Sequence, residues 1–421
     1  MMAAVFLYRL SLALYGLGIR VAALYSDKAR KWVAGRRNWQ QELQKALAPG
    51  KKRIWIHCSS LGEFEQGRPL IELLSQRYPA YEVVLTFFSP SGYEACRGYT
   101  GVHHILYLPM DGPAAARHFV AAVDPELVIF VKYEFWHYYL HEVNRRGIPL
   151  LLVSAAFRQQ QSFFKGYGGF FRGMLRCFSH IHVQDAASAA LLAGIGIKDN
   201  VSISGDTRYD RVTAIAQRLR PIAEAERFRG DSKVLVAGST WPDDEKLIKD
   251  ALPALPTGWK LIIAPHEIDA AHIRQVQELF AGECALYSAL AADASLYQKR
   301  ILIIDNIGML SSLYAYGHLA YVGGGFARGG IHNTLEPAIF GLPVVMGPVY
   351  EKFVEAVRLV EIGGAFPVAD ATAARAIFHQ LATDDTRRLQ IHDTVSRFMK
   401  ENTGAADRIC AQVAASGWLS S

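Results

Sequence analysis

Cysteine is scarce in this chain of 421 residues. The five that occur, Cys58, Cys96, Cys177, Cys284 and Cys410, are odd in number, scattered and never in Cys-x-x-Cys spacing. That pattern excludes a disulfide framework and a structural zinc site, and it points to a reducing compartment. No Lys-Ser/Thr closes a Walker loop, and no Gly-x-Gly-x-x-Gly with a later acid forms a dinucleotide fingerprint. Asp-x-Asp is missing too, so neither a metal nor another cofactor is expected. Charge of one sign is in short supply: a net +6 is modest, and no nucleic-acid partner is expected from it. Short repeats and low-complexity tracts are absent as well, which excludes solenoids and disordered arrays.

What the chain does have is a regular alternation of apolar runs and helical stretches. Runs at 54–59, 82–88, 104–109, 127–132, 150–155, 180–185 and 201–206 are apolar almost without interruption, as parallel strands covered on both faces must be. A polar, arginine-rich stretch follows at 207–232. A second series then runs through 234–239, 260–265, 301–305, 319–324 and 343–348. The length suits two α/β domains, each with its own core. The expected fold is therefore α/β, with two Rossmann-like, doubly wound domains (27–206 and 233–421) facing each other across a cleft and joined by a linker at 207–232.

The N-terminus differs from the rest. Residues 3–25 are apolar and long enough to cross about 30 Å of hydrocarbon as a helix, interrupted only by Arg9 and Arg20. Eleven residues apart, these arginines fall within about 20° of each other on a helix. Lys28, Arg30, Lys31, Arg36 and Arg37 follow, with Trp32 and Trp39 among them. Basic residues after the apolar run, and no small-residue cleavage site, speak for a membrane anchor over 1–26 on the cytoplasmic side, against an anionic surface, rather than for a signal peptide. The helix either spans the bilayer or lies in its interface.

Residues 319–348 carry the densest signal. Five glycines in eight positions (Gly323, Gly324, Gly325, Gly329, Gly330) link a strand to a helix, and such a loop turns backbone N–H groups toward an anion. Asn333 is expected as N-cap, with Glu336 at its third helical position accepting ribose hydroxyls or merely completing a capping box. Other strand ends bring further candidates to the same rim. Ser239 and Thr240 stand at one strand-to-helix turn, and Pro265 and His266 at another. Hydroxyls and N–H groups at such turns bind phosphate or cap helices.

Carboxylates provide the acid–base chemistry. Glu63 opens the first βα turn and is a candidate general base for a sugar hydroxyl, although a first-turn Glu also complements the helix dipole, as Glu65 does. Glu134 ends the fourth strand at the same rim. Arg208 pairs either with a phosphate or with Asp206 or Asp210. His137 and His141 have the i, i+4 spacing of metal ligands but no third partner in the sequence.

Taken together and in order, Ser-Leu-Gly-Glu-Phe at 60–64, Tyr-Glu-Phe-Trp at 133–136, Gly-Asp-Thr-Arg-Tyr-Asp at 205–210, Gly-Ser-Thr at 238–240 and Gly-Gly-Ile-His-Asn-Thr-Leu-Glu-Pro-Ala at 329–338 resemble the bacterial 3-deoxy-D-manno-octulosonic acid (Kdo) transferases. The resemblance implies a GT-B enzyme anchored on the cytoplasmic face of the inner membrane. Such an enzyme moves Kdo from CMP-Kdo to a lipid A precursor in lipopolysaccharide synthesis. It implies Glu63 as proton acceptor and Glu134 and Arg208 as transition-state stabilisers. CMP contacts would come from Ser239, Thr240, Pro265, His266, Ile307, Gly308, Met309, Asn333, Thr334, Leu335 and Glu336. The chain departs from the family's usual residues in several places. Arg208 stands where Lys is usual, Pro265-His266 where Pro-Arg-His is, Met309 and Lys132 where Glu is, and residues 154–158 where Asn-Ala-Arg-Leu-Ser is. A UDP-sugar transferase of envelope synthesis and a UDP-sugar 2-epimerase share the expected fold and remain the alternatives.

Overall fold

The computed structural model describes residues 2–219 and 221–420. The chain forms two compact units, one made of the residues up to Arg211 together with those from Thr403 onward, the other of Val212–Asn402.

The first unit is built on a seven-stranded parallel sheet of β1 (Arg53–Cys58), β2 (Glu82–Phe87), β3 (His104–Tyr107), β4 (Leu127–Val131), β5 (Leu150–Ala155), β6 (His180–Val183) and β7 (Val201–Ile203), in the order β3-β2-β1-β4-β5-β6-β7. Strand side chains alternate between faces, so each face has its own core. Trp55 and Phe130 join Phe119 and Tyr139 on one side, while Ile54, Ile56 and Val131 join Phe64 and Ile71 on the other. β1 pairs with both β2 and β4, and the chain winds outward from this pair in both directions. That makes the carboxyl ends of β1 and β4 the topological switch point, where ligands bind in open α/β sheets.

The boundaries differ from those expected. The stretch 207–232 is not an open linker: it contains the helices Thr207–Gln217 and Ala223–Arg229, and the division between units falls inside it. The end of the chain returns to the first unit instead of completing the second. Its last helix, Ala405–Ala415, buries Ile409 and Val413 against the helix Leu61–Arg77. Asp210 accepts from the N–H groups of Gly404 (2.6 Å) and Ala406 (3.1 Å), satisfying donors at the start of that helix. Asp210 is thus a structural clasp.

The second unit repeats the architecture with β8 (Lys233–Thr240), β9 (Trp259–Pro265), β10 (Cys284–Leu286), β11 (Ile301–Ile303), β12 (Leu319–Val322), β13 (Val344–Met346) and β14 (Ala365–Pro367), all parallel, in the order β10-β11-β9-β8-β12-β13-β14. Its switch point lies between β8 and β12. The two edge strands β10 and β14 went unread in the sequence.

An apolar helix, Met2–Ala22, precedes the first sheet and is long and apolar enough to cross a membrane. It is nonetheless attached to its unit. The Tyr8 hydroxyl donates to Asp111 Oδ2 at 2.6 Å, and the Tyr15 ring meets Trp32 edge-on at 5.9 Å. Asp111 also accepts from the N–H groups of Tyr138 (3.0 Å) and Tyr139 (3.1 Å), and burial pushes its carboxyl up to about 6.

Candidate functional site

At the first switch point two carboxylates gather around the end of β1. The helix Leu61–Arg77 puts Glu63 in its first turn, half-buried, where the helix dipole favours a negative charge. The Ser60 hydroxyl bonds the Glu63 carboxylate rather than a backbone N–H. Its neighbour Glu65 is committed elsewhere, accepting from Arg211 Nε at 2.6 Å. Glu134 follows the end of β4. Its Oε2 accepts from Trp136 Nε1 (2.7 Å) and lies 3.1 Å from His57 Nε2. The Cys58 thiol, wholly buried at the end of β1, is pushed well up, first by burial and then by the charges of Glu63 and Glu134. Both acids therefore lie near the end of β1.

Glu134 is held by a chain of buried polar groups that the sequence did not reveal. His57 is fully buried, and its Nδ1 lies 2.9 Å from Thr86 Oγ1, which also accepts from Trp55 Nε1 at 2.8 Å. A histidine inside a strand reads as one more core residue. Only the pairing of β1 with β2 brings His57 beside Thr86.

Arg208 takes the simpler of its two expected partners. Its Nε donates to Asp206 Oδ2 at 2.8 Å and its backbone N–H to Asp206 Oδ1 at 2.9 Å. The same edge of the sheet holds Tyr133, whose hydroxyl is pushed up by burial against the opposing pull of Arg158 and Arg208. Arg208 and the 133–136 motif are thus close in the fold. Lys132 (φ 69°) and Ser154 (φ 53°) adopt left-handed backbone at the ends of β4 and β5, where non-glycine residues are rare. The ladder between β5 and β6 slips between Leu152 and Ala155, a bulge of the kind that re-aims side chains at strand ends.

In the second unit the glycine-rich loop behaves differently from its sequence expectation. The anion it faces is the protein's own: Asp244 Oδ2 accepts from Gly324 N–H (2.8 Å) and Trp241 N–H (3.0 Å), while Oδ1 accepts from the Tyr321 hydroxyl (2.7 Å). Gly323 donates to the Gly238 carbonyl at 2.9 Å. Close packing explains the glycines here, because a Cβ on Gly323 would meet Ser239 O at 2.3 Å and one on Gly325 would meet Gly347 Cα at 2.5 Å. Thr240 turns inward as well, donating to Glu245 Oε1 (3.1 Å), which also lies 3.0 Å from His272 Nε2. Burial pushes Asp244 and Glu245 upward. With Asp243, these acids fill the first turn of the helix Pro242–Ala251, so that helix start is already supplied with negative charge and does not call for a phosphate. Ser239 is the third rim residue with left-handed backbone (φ 53°), at the register shift between β8 and β9.

The remaining candidates line the ends of β9, β11 and β12. Pro265 ends β9, and His266 follows, exposed, its N–H bonded to Thr240 O at 2.9 Å. The His266 ring stacks on Trp241 (4.7 Å) and on His332 (4.4 Å), and Trp241 Nε1 donates to His332 Nε2 at 3.0 Å. Burial and the neighbouring His266 push the His332 imidazole down. Asn333 is not the backbone N-cap: that position belongs to Thr334, ahead of the four-residue helix Leu335–Ala338, and Glu336 is the second helical residue. Asn333 still serves the helix from one residue further out. Its Oδ1 accepts from Leu335 N–H (3.1 Å) and its Nδ2 donates to Glu336 Oε1 (3.1 Å). Ser311 donates to Glu336 Oε2 at 2.8 Å, tying the loop of Ile307, Gly308 and Met309 to the same corner. Ile307 is exposed and Gly308 adopts φ 95°, while Met309 caps the helix Leu310–Leu313. The Thr334 hydroxyl is buried without a hydrogen-bond partner. Trp241 and His332 were not singled out in the sequence, although His332 lies inside the 329–338 motif and Trp241 directly follows the 238–240 one.

His137 and His141 do fall on one helix, His137–Arg145, with ring centroids 4.2 Å apart. Among the described residues no group of three or more potential metal ligands includes them.

Solved structures share this architecture. The UDP-GlcNAc 2-epimerase of Neisseria meningitidis aligns with a TM-score of 0.62 at 14% identity, over 86% of this chain and 99% of that one. MurG of Acinetobacter baumannii aligns at 0.51 and 14% identity, over 86% and 99%. At such identity the likeness concerns the fold, and it places the chain among GT-B-like proteins. A family model described as "3-Deoxy-D-manno-octulosonic-acid transferase (kdotransferase)" matches residues 36–211, the stretch that carries Glu63, Glu134 and Arg208. A 3-deoxy-D-manno-octulosonic acid transferase of Haemophilus influenzae is 28% identical over 377 residues, 86% of this chain and 87% of that protein. One from Aquifex aeolicus is 26% identical over 336 residues, 78% and 86%. The chain is thus a glycosyltransferase of the GT-B class. It is similar to the Kdo transferases over most of its length.

Proposed function

We propose that this enzyme transfers Kdo from CMP-Kdo to a primary hydroxyl of a lipid A precursor, with inversion, at the cytoplasmic face of the inner membrane. Glu63 accepts the hydroxyl proton while the oxygen attacks the anomeric carbon. The bond from that carbon to the phosphate oxygen breaks, and CMP leaves with the electron pair. Arg208 offsets charge growing on the departing phosphate, and Glu134 orients the reacting groups. The observation that supports this reading best is the convergence of Glu63 and Glu134 on Cys58 at the first sheet's switch point, in a chain similar to the Kdo transferases.

The second unit supplies the donor contacts in this reading. His266, stacked beside Trp241 and His332, offers a planar surface to a pyrimidine. Glu336, fixed by Asn333 and Ser311, is a carboxylate suited to ribose hydroxyls. Ser239, Thr240, Gly324 and Thr334 shape the corner from behind. The helix Met2–Ala22 keeps the enzyme at the surface where an acylated acceptor resides.

Mass spectrometry of a lipid A precursor incubated with CMP-Kdo and the purified protein tests the reaction: one or more added Kdo residues are expected, and an unchanged acceptor refutes it. Competition of CMP against UDP for the protein tests the donor. Preference for UDP would favour a UDP-sugar enzyme instead.

A further inference from the structure

The helix Met2–Ala22 and the two residues after it present two opposed faces. At about 100° per residue, Tyr8, Leu12, Gly16, Ile19 and Ala23 form one stripe, and all five are partly covered by the first unit. Phe6, Leu10, Leu14, Leu17, Val21 and Leu24 form a second stripe roughly 150° away, and all six are exposed, Leu10 least at 45% and Leu24 most at 69%. Arg9 and Arg20 fall on one edge between the stripes and line a single groove of 390 Å³ with Trp32 and Met110. The covered stripe is fastened along its length, by the Tyr8–Asp111 hydrogen bond near one end and by the Tyr15–Trp32 contact further along.

A helix held in this way cannot cross a bilayer by itself. From Tyr8 to Ala23 the covered stripe extends fifteen residues, about 22 Å at 1.5 Å per residue, and the unit beneath it would have to enter hydrocarbon to the same depth. That unit presents Lys28, Arg30, Lys31 and Arg37 beside the helix, all exposed. Each charge taken to the bilayer centre costs at least about 2.5 kcal/mol. Lying flat avoids the cost: the outer stripe sinks to the level of the acyl chains, and the two arginines and the basic residues meet phosphate headgroups.

We propose that the N-terminal helix is an in-plane, monotopic contact with an anionic phospholipid surface, clamped against the first unit so that the enzyme docks in one orientation. The proposal rests on the reading that this chain works at a membrane and specifies how. The rigid clamp, rather than a flexible tether, fixes the height of the first sheet's rim above the lipid.

The test uses the full chain with a single nitroxide label at Phe6→Cys, Leu14→Cys or Val21→Cys, bound to vesicles of phosphatidylethanolamine and phosphatidylglycerol, with depth read from oxygen and nickel-chelate accessibility. All three labels are expected at the same shallow depth, within a few ångströms. A steady change in depth from Phe6 to Val21, about 22 Å for an upright helix, overturns the in-plane proposal while leaving membrane anchoring intact. Failure of all three labelled proteins, and of the unlabelled chain, to bind vesicles overturns the anchoring reading as well.

Discussion

The rims of the two sheets use carboxylates in opposite ways. In the first unit Glu134 is supported from within by His57 and Trp136, while Glu63 stands half-buried near the same Cys58. In the second, Asp244 and Glu245 face inward, where they satisfy Gly324, Trp241, Tyr321, Thr240 and His272. The same doubly wound architecture therefore leaves acids at the rim in one unit and uses them to hold a loop in the other. The lesson is that an acid at a strand end is read by its partners. Glu134, held by side chains behind it, can face a substrate, whereas Asp244, enclosed by two backbone N–H groups and a hydroxyl, is already occupied.

Four experiments probe this contrast, the strongest effect first. Glu63→Gln and Glu63→Ala are expected to lower Kdo transfer by about 10²- to 10⁴-fold, the range for loss of a general base, with little change in thermal stability. Wild-type rates in both variants would remove Glu63 from the chemistry. Asp244→Ala strands three buried donors and is expected to cost about 3 kcal/mol or more, read by urea denaturation. An unaltered midpoint with lost CMP binding would instead make Asp244 a ligand group and erase the contrast.

A third test concerns pH. His182 is buried, and only its Nδ1 has a partner, Ser204 Oγ at 2.7 Å. Burial, then the neighbouring His180, pushes its imidazole down to about 3. Because the folded form holds its proton more weakly than the unfolded chain, stability is full above about 6.5 and falls as pH drops toward 3. Relative to neutral pH, about 2 kcal/mol is lost from this group at pH 5. His182→Asn should flatten that part of the stability profile, and an unchanged slope would assign it to other groups.

The smallest effect is expected at His57, a positioning residue acting through Glu134. His57→Leu should lower kcat about tenfold with KM for CMP-Kdo unchanged, and His57→Gln, which keeps a donor near Glu134, should restore most of it. Equal loss in both variants, or a loss confined to KM, would make His57 a packing residue only.

Much of this was legible in the residues. Parallel strands buried on both faces are apolar from end to end, so twelve of them could be read directly, and the acids at the ends of β1 and β4 followed from their positions. The edge strands β10 and β14 were not read. The glycine-rich loop misled in part, because a run of glycines signals close backbone approach without saying to what. Here it is to Ser239 and Gly347, and the nearest anion is Asp244 from a different βα turn. Asn333 and Glu336 were read as cap and third residue because their spacing fits, yet the backbone turns one residue later.

Local pattern determined the two parallel sheets, the apolar N-terminal helix and the motifs that carry the family resemblance, since periodicity and short spacings are properties of neighbouring residues. Which donor each carboxylate meets was decided only by the tertiary structure. His57 reaches Thr86 and Glu134 across adjacent strands, Asp244 reaches Gly324 across eighty residues, and Tyr8 reaches Asp111 across more than a hundred. Such partnerships depend on strand order and on helices settling against the sheet, and nothing in the local sequence around either partner encodes them.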